Sequence, residues 1–138
     1  SGGVITPHTA TEVNNIGVFA GVSYTASDGS YVYKQYWPTE TTATNIIAYV
    51  YDDPHTVYKV QSAGSPAQTN IGNCADVVAG AGSTTTGQSG FEISGTMAAG
   101  TATCKILALH DNPNNAFGSN AVMEVILNEH LLKDSAGI

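Results

Sequence analysis

Apolar and polar positions alternate with a period of two over most of this chain, which predicts strands rather than helices. Residues 16–24 read Ile-Gly-Val-Phe-Ala-Gly-Val-Ser-Tyr, a β-branched and aromatic run with glycines where backbones approach closely. Asp28-Gly29 marks a turn, and Tyr31-Val32-Tyr33-Lys34-Gln35-Tyr36-Trp37 supplies the partner strand of a hairpin whose loop covers residues 25–30. Pro38 ends that strand. Further strands are predicted over 45–51, 56–61, 91–93, 102–109 and 121–130, separated by turns such as Asp52-Asp53-Pro54-His55 and Asp111-Asn112-Pro113-Asn114-Asn115. Residues 69–78 are expected to form a short helical turn capped by Thr69 or Asn70, with Cys74 facing inward. Residues 80–90 form a Gly/Thr/Ser loop.

These elements predict an all-β chain: a single antiparallel β-barrel or β-sandwich domain over 16–138 with one short helical turn, preceded by an N-terminal arm over 1–15. Within the arm, Gly3-Val4-Ile5-Thr6 is β-prone and bounded by Gly2 and Pro7. It is expected either to form an edge strand of its own subunit or to reach a neighbouring one. The small polar ends, Ser1-Gly2-Gly3 and Ser135-Ala136-Gly137-Ile138, fray unless neighbours pin them. The start at Ser1 rather than Met is expected of a processed product or of a partial record of a longer chain.

Composition narrows the function. At 138 residues, one domain is expected. Only 11% of residues are charged, the net charge is −7, and all four basic side chains are lysines. A chain without arginine is ill suited to hold phosphates or nucleic acid. The most apolar run, residues 46–51, falls far short of the roughly 18 residues needed to cross a bilayer. No nucleic-acid or membrane partner is therefore expected.

The search for chemistry yields little. Residues 82–89 have the spacing of a phosphate-binding loop, but Gln88 stands where the lysine belongs. His8, His55, His110 and His130 form no metal-ligand pattern. His55 beside Asp52 and Asp53 reads as a solvated turn. His110 or His130 would need to meet Asp111 or Glu129 in a cleft to form an acid–base pair. Asp111, Asn112, Asn114 and Asn115 offer oxygen ligands of the kind Ca²⁺ takes, although such turns commonly hold no metal. No catalytic residue, metal or cofactor is expected, and the chain is not read as an enzyme. Cys74 and Cys104 allow one bridge, closing a loop of about 30 residues worth roughly 3 kcal/mol, or else remain buried thiols.

The aromatic residues carry more. Tyr24, Tyr31, Tyr33, Tyr36 and Trp37 fall on one predicted hairpin, and Tyr49, Tyr51 and Tyr58 on the next two strands. Strand alternation puts 31, 33 and 37 on one face and 36 on the other. Tyrosine joins apolar area to a polar tip, which suits subunit contacts as well as cross-strand packing. Val4, Ile5, Tyr31, Tyr33, Tyr36 and Trp37 are the expected contact residues.

Three segments carry a family likeness: residues 51–61, residues 71–90, and a third from Lys105-Ile106-Leu107-Ala108-Leu109 through Asp111-Asn112-Pro113-Asn114-Asn115-Ala116-Phe117-Gly118 to residues 122–130. With the strand-like start at 16–22, the chain resembles an uncharacterised family of virion structural proteins from tailed phages of aquatic habitats. Relatives carry a further stretch before the point matching Ser1, and Cys74 and Cys104 are unusual among them. The resemblance implies a non-enzymatic building block, a capsid-associated or decoration protein, with copies of itself and a major capsid protein as partners. Two functions follow as expectations: a self-assembling subunit of a virion or an extracellular filament, or an extracellular carbohydrate-binding β-sandwich module using exposed Tyr and Trp. Thr39, Thr41, Thr42 and Thr44 are candidate carriers of O-linked glycans.

Overall fold

A computed structural model describes residues 4–9, 12–38 and 41–133. The two chain ends and Thr39 lie outside the described residues. In chain order the strands are β1 (Val18–Ala26), β2 (Tyr31–Lys34), β3 (Ala43–Tyr51), β4 (Val57–Gln61), β5 (Cys74–Ala75), β6 (Val77–Val78), β7 (Glu92–Ile93), β8 (Cys104–Leu109) and β9 (Val122–Leu127). All named ladders are antiparallel. They form a three-stranded sheet in the order β2-β1-β3, a four-stranded sheet in the order β4-β9-β8-β5, and the short pair β6-β7. The fold is all-β and sandwich-like, and the described residues form no closed barrel.

The core lies on one face of the four-stranded sheet. In β9 the period of two buries Met123, Val125 and Leu127 and leaves Val122, Glu124 and Ile126 half-exposed. Val125 is flanked by Tyr58 of β4 and Ile106 of β8, and Leu127 faces Cys104. An irregularity between Ile106 and Ala108 shifts the β8 register, so Leu109 pairs with Met123 and packs against the core while Leu107 is left exposed. Ile93, Ala75, Val77 and Met97 complete the cluster from the β5–β7 segment. No side chain of β1, β2 or β3 belongs to it.

The first hairpin forms as its sequence predicts. Ala26 N–H donates to Ser30 O and Gly29 N–H to Ala26 O, both at 2.9 Å. The Ser30 amide and hydroxyl both donate to Asp28 Oδ1, at 2.9 and 2.6 Å. These bonds favour the carboxylate and hold Asp28 below its ordinary 3.8. The turn therefore keeps this support above the ordinary carboxylate range and loses it as pH falls through the lowered value.

Two expectations need correction, on the helical turn and on Trp37, and the two readings of the cysteines are resolved. Only Gln68–Asn70 makes a helical turn, of 3₁₀ type; residues 74–78 are extended in β5 and β6. Their ladders run to β8 and β7, and the Cys74 amide donates to Ala98 O at 2.9 Å, so distant partners override the local pattern. Cys74 and Cys104 are both buried free thiols. Cys74 lies opposite Lys105 and Cys104 opposite Ala75, which points the two sulfurs to opposite faces of the sheet, where no bridge forms. Trp37 does not share a face with Tyr31 and Tyr33. The strand stops at Lys34, a bend at Gln35 and Tyr36 turns the chain, and the indole packs edge-on against Tyr24, whose strand partner is Val32.

Residues 4–9 belong to no strand. His8 ties them to their own subunit: Nδ1 donates to Asn15 Oδ1 at 2.7 Å, and Nε2 lies 3.3 Å from Thr103 Oγ1. Asn15 in turn donates to Glu129 O and forms a bridge with His130. Val4 is left 88% exposed.

Candidate functional site

The three-stranded sheet has two unlike faces. Register places Val22, Tyr24, Val32, Lys34 and Ala48 on one of them, where Val22 and Tyr24 are buried. On the other, the central strand offers the small side chains of Gly21, Ser23 and Thr25, with Val18 beside Tyr51 at its start. The flanking strands place Tyr31, Tyr33, Ile47 and Tyr49 beside them, and Tyr51 follows along β3. The rings lean across the small residues. A Cβ on Gly21, whose φ is +155°, would sit 2.5 Å from the Tyr33 hydroxyl, so that ring occupies the space a side chain would need. Ser23 Oγ lies 3.1 Å from the Tyr49 hydroxyl, and the Tyr33 and Tyr49 rings are 6.0 Å apart at 55°.

This face is uncovered. Tyr31 is 72% exposed, Tyr33 55%, Ile47 56%, Tyr49 42% and Tyr51 61%. At roughly 200 Å² per aromatic side chain, the patch amounts to about 500 Å², toward the upper end of what a monomeric soluble protein shows. No charged residue lies among these five.

Of the expected contact residues, the structure therefore places Tyr31 and Tyr33 together on an exposed sheet. Val4 and Ile5 are exposed on the N-terminal segment. Tyr36 and Trp37 line a different feature, an open cleft of about 520 Å³ completed by Pro38, Gly82, Ser83, Thr84, Gly87 and Gln88. Gly87, at φ +72°, lets the 82–88 loop close on the Tyr36 ring; a Cβ there would lie 2.1 Å from that ring. Lys34 Nζ stands 5.5 Å from the same ring's centre. The loop that imitates a phosphate-binding motif turns inward: Ser83 N–H donates to Gln88 O, Gly87 N–H to Ser83 O, and Thr86 N–H to Ser83 Oγ. Those amides are thereby committed to the turn.

The remaining polar groups serve the fold. His110 Nδ1 meets Glu124 Oε1 at 3.0 Å, rather than Asp111 or Glu129. Asn115 donates to the carbonyls of His110 and Val122 and accepts from the Val122 amide, so the Asn-rich turn uses this side chain as a clamp between β8 and β9. Asp53 caps the turn before β4, its Oδ1 accepting from the His55 amide at 2.8 Å. His130 is buried, its Nδ1 accepting from the Leu132 amide at 3.1 Å. The Asp76–Thr103–His8–Asn15 chain was not legible in the sequence, since its members are up to 95 residues apart. Thr103, its hydroxyl, is 2% exposed and out of reach of a substrate. Among the described residues no group of three or more His, Cys, Asp or Glu is placed to hold a metal, and no helix is long and apolar enough to cross a membrane.

The fold and surface thus define an all-β, sandwich-like chain with a bare aromatic sheet. No family model, curated protein or solved structure matches it.

Proposed function

We propose that this chain is a non-enzymatic structural subunit that assembles with copies of itself into, or onto, a large particle, a virion or an extracellular filament. The observation that carries this reading is the uncovered aromatic face of the three-stranded sheet. A two-layer fold buries the apolar face of each sheet, and here one sheet buries Val22 and Tyr24 on one side, outside the main core cluster, and keeps four tyrosines exposed on the other. A low content of charge reduces the desolvation that close packing of many copies would require. The resemblance of the sequence to tailed-phage structural proteins favours the virion, with a major capsid protein as a second partner.

Tyr31 and Tyr51 are the most exposed members of the face, and among the described residues their side chains make no hydrogen bond, so they can be changed without loosening it. The Tyr31→Lys, Tyr51→Lys chain is expected to keep its far-ultraviolet circular dichroism and to need at least about tenfold higher concentration to assemble in sedimentation velocity. A wild-type chain that stays monomeric at millimolar concentration removes the proposal. Electron microscopy of the source particle separates a shell from a helical fibre.

The cleft at Tyr36 and Trp37 favours a second reading, an extracellular carbohydrate-binding module. Two aromatic rings beside Ser83, Thr84 and Gln88, with no charged residue among the described lining, suit a neutral sugar. Trp37 is the one tryptophan, so its fluorescence reports the cleft alone. Neutral oligosaccharides should then change that emission saturably, and Gln88→Ala should weaken the response. Emission indifferent to a panel of such glycans eliminates this reading.

A further inference from the structure

We infer that the outer edge of β3 is a self-pairing seam, along which a second copy of this chain adds its own β3 in antiparallel register centred on Ala48. This rests on the self-assembly reading and names its partner and geometry.

The sheets' other edges are guarded. β4 carries Lys59 at its centre, β2 is four residues long with Lys34 at its end and Pro38 beyond, and β5 has two residues. Lysine, proline and shortness are the usual protections of an exposed edge. β3 has none of them. It runs nine residues, Ala-Thr-Asn-Ile-Ile-Ala-Tyr-Val-Tyr, without a charge or a proline. Among the described residues its only strand partner is β1, so the groups on its far side have no ladder. Two irregularities disturb its pairing with β1, one between Thr44 and Ile47, where Asn45 has φ +51°, and one between Tyr49 and Val50; the stretch Ile47–Tyr49 between them is continuous.

Charge selects the copy and the register. Two chains of net charge −7 repel unless the seam is neutral and their acids are kept apart. Centring on Ala48 sets Asp52 and Asp53 of each chain beside Thr44 and Ala43 of the other. The two Asp52 residues are then eight residues apart along the seam, roughly 26 Å, or about three Debye lengths at physiological salt. Parallel pairing would bring all four acids together. The same register sets Ile47 against Tyr49 twice, aromatic–β-branched pairs that favour a sheet. The tyrosine faces of both copies become one six-stranded surface of about 1,000 Å², enough to hold a further neighbour by stacking.

At the centre of such a seam the two Ala48 Cα atoms would lie about 4.5–5.5 Å apart, within disulfide range. Under mild oxidation, Ala48→Cys is expected to form a covalent dimer at least about tenfold faster than Tyr31→Cys on β2. The parent chain, whose thiols are buried, supplies the background. Ile47→Lys is expected to hold the chain at or below the single-sheet species with unchanged circular dichroism. Assembly of Ala48→Cys without cross-linking, or preferred cross-linking at Tyr31→Cys, overturns the seam while self-assembly stands. A wild-type chain that sediments only as a monomer overturns both.

Discussion

Replacing Met123 with alanine is expected to destabilise the chain by about 2–5 kcal/mol, a large share of the roughly 5–15 kcal/mol typical of a domain. Met123 is fully buried at the centre of β9, paired with Val60 on one side and Leu109 on the other. Truncation removes apolar area from the core and leaves a space that neighbours held in two ladders cannot close. The irregularity in β8 sharpens the effect, because it exists to bring Leu109 onto the core face beside Met123. Urea unfolding followed by circular dichroism should show a lower midpoint with an unchanged slope. Val57→Ala, on the half-exposed edge of β4, should stay within about 0.5 kcal/mol of wild type. Equal losses for the two variants would show that the core has been placed on the wrong face of that sheet.

The strands that the sequence predicts best are those whose alternation is long enough to be seen. The run 16–24 appears as Val18–Ala26, 45–51 as Ala43–Tyr51, and 102–109 as Cys104–Leu109. The strand expected over 121–130 ends at Leu127, because Asn128 and Glu129 turn to donate their amides to Thr103 O. β5 and β6 escape detection for a different reason: two residues have no period. Both residues of β5 are buried, and a bridge from Ala98 lies along its outer edge, so the pair shows no alternation to read. The candidate surface was half legible. Alternation puts Tyr31 and Tyr33 on one face, but that Tyr49, Ile47 and Tyr51 join them follows from the β1–β3 register, and two bulges set that register. Trp37 went to the other face because the strand ended three residues before it, at Lys34. The contacts of His8 with Asn15 and Thr103 depend on tertiary placement alone.

Raising the pH from 9 to 12 is expected to cost the wild-type chain up to about 4 kcal/mol more stability than it costs Cys104→Ala. Cys104 is 3% exposed on the core face of β8. Burial, with smaller contributions from Asp76, Cys74 and Glu129, pushes its thiol up to about 12 from an ordinary 9.0. Below pH 9 the thiol is neutral in both the folded and the unfolded chain and the shift has no consequence. Above pH 9 the unfolded chain releases this proton and the folded chain does not, so each further pH step favours unfolding by about 1.4 kcal/mol until the folded-state value is reached. Tyrosines and lysines titrate in the same range, and the comparison with Cys104→Ala removes their share because both proteins carry them. Below pH 9, dithiothreitol should leave the melting temperature of the wild type unchanged, since the two sulfurs point to opposite faces of the sheet and no bridge exists to reduce. The thiol should also resist alkylation until the chain unfolds, because the reactive species is the thiolate. Urea midpoints measured at intervals from pH 8 to pH 11.5 test the slope. Parallel curves for the two proteins would mean that Cys104 meets solvent in the folded state, and would remove it from the core.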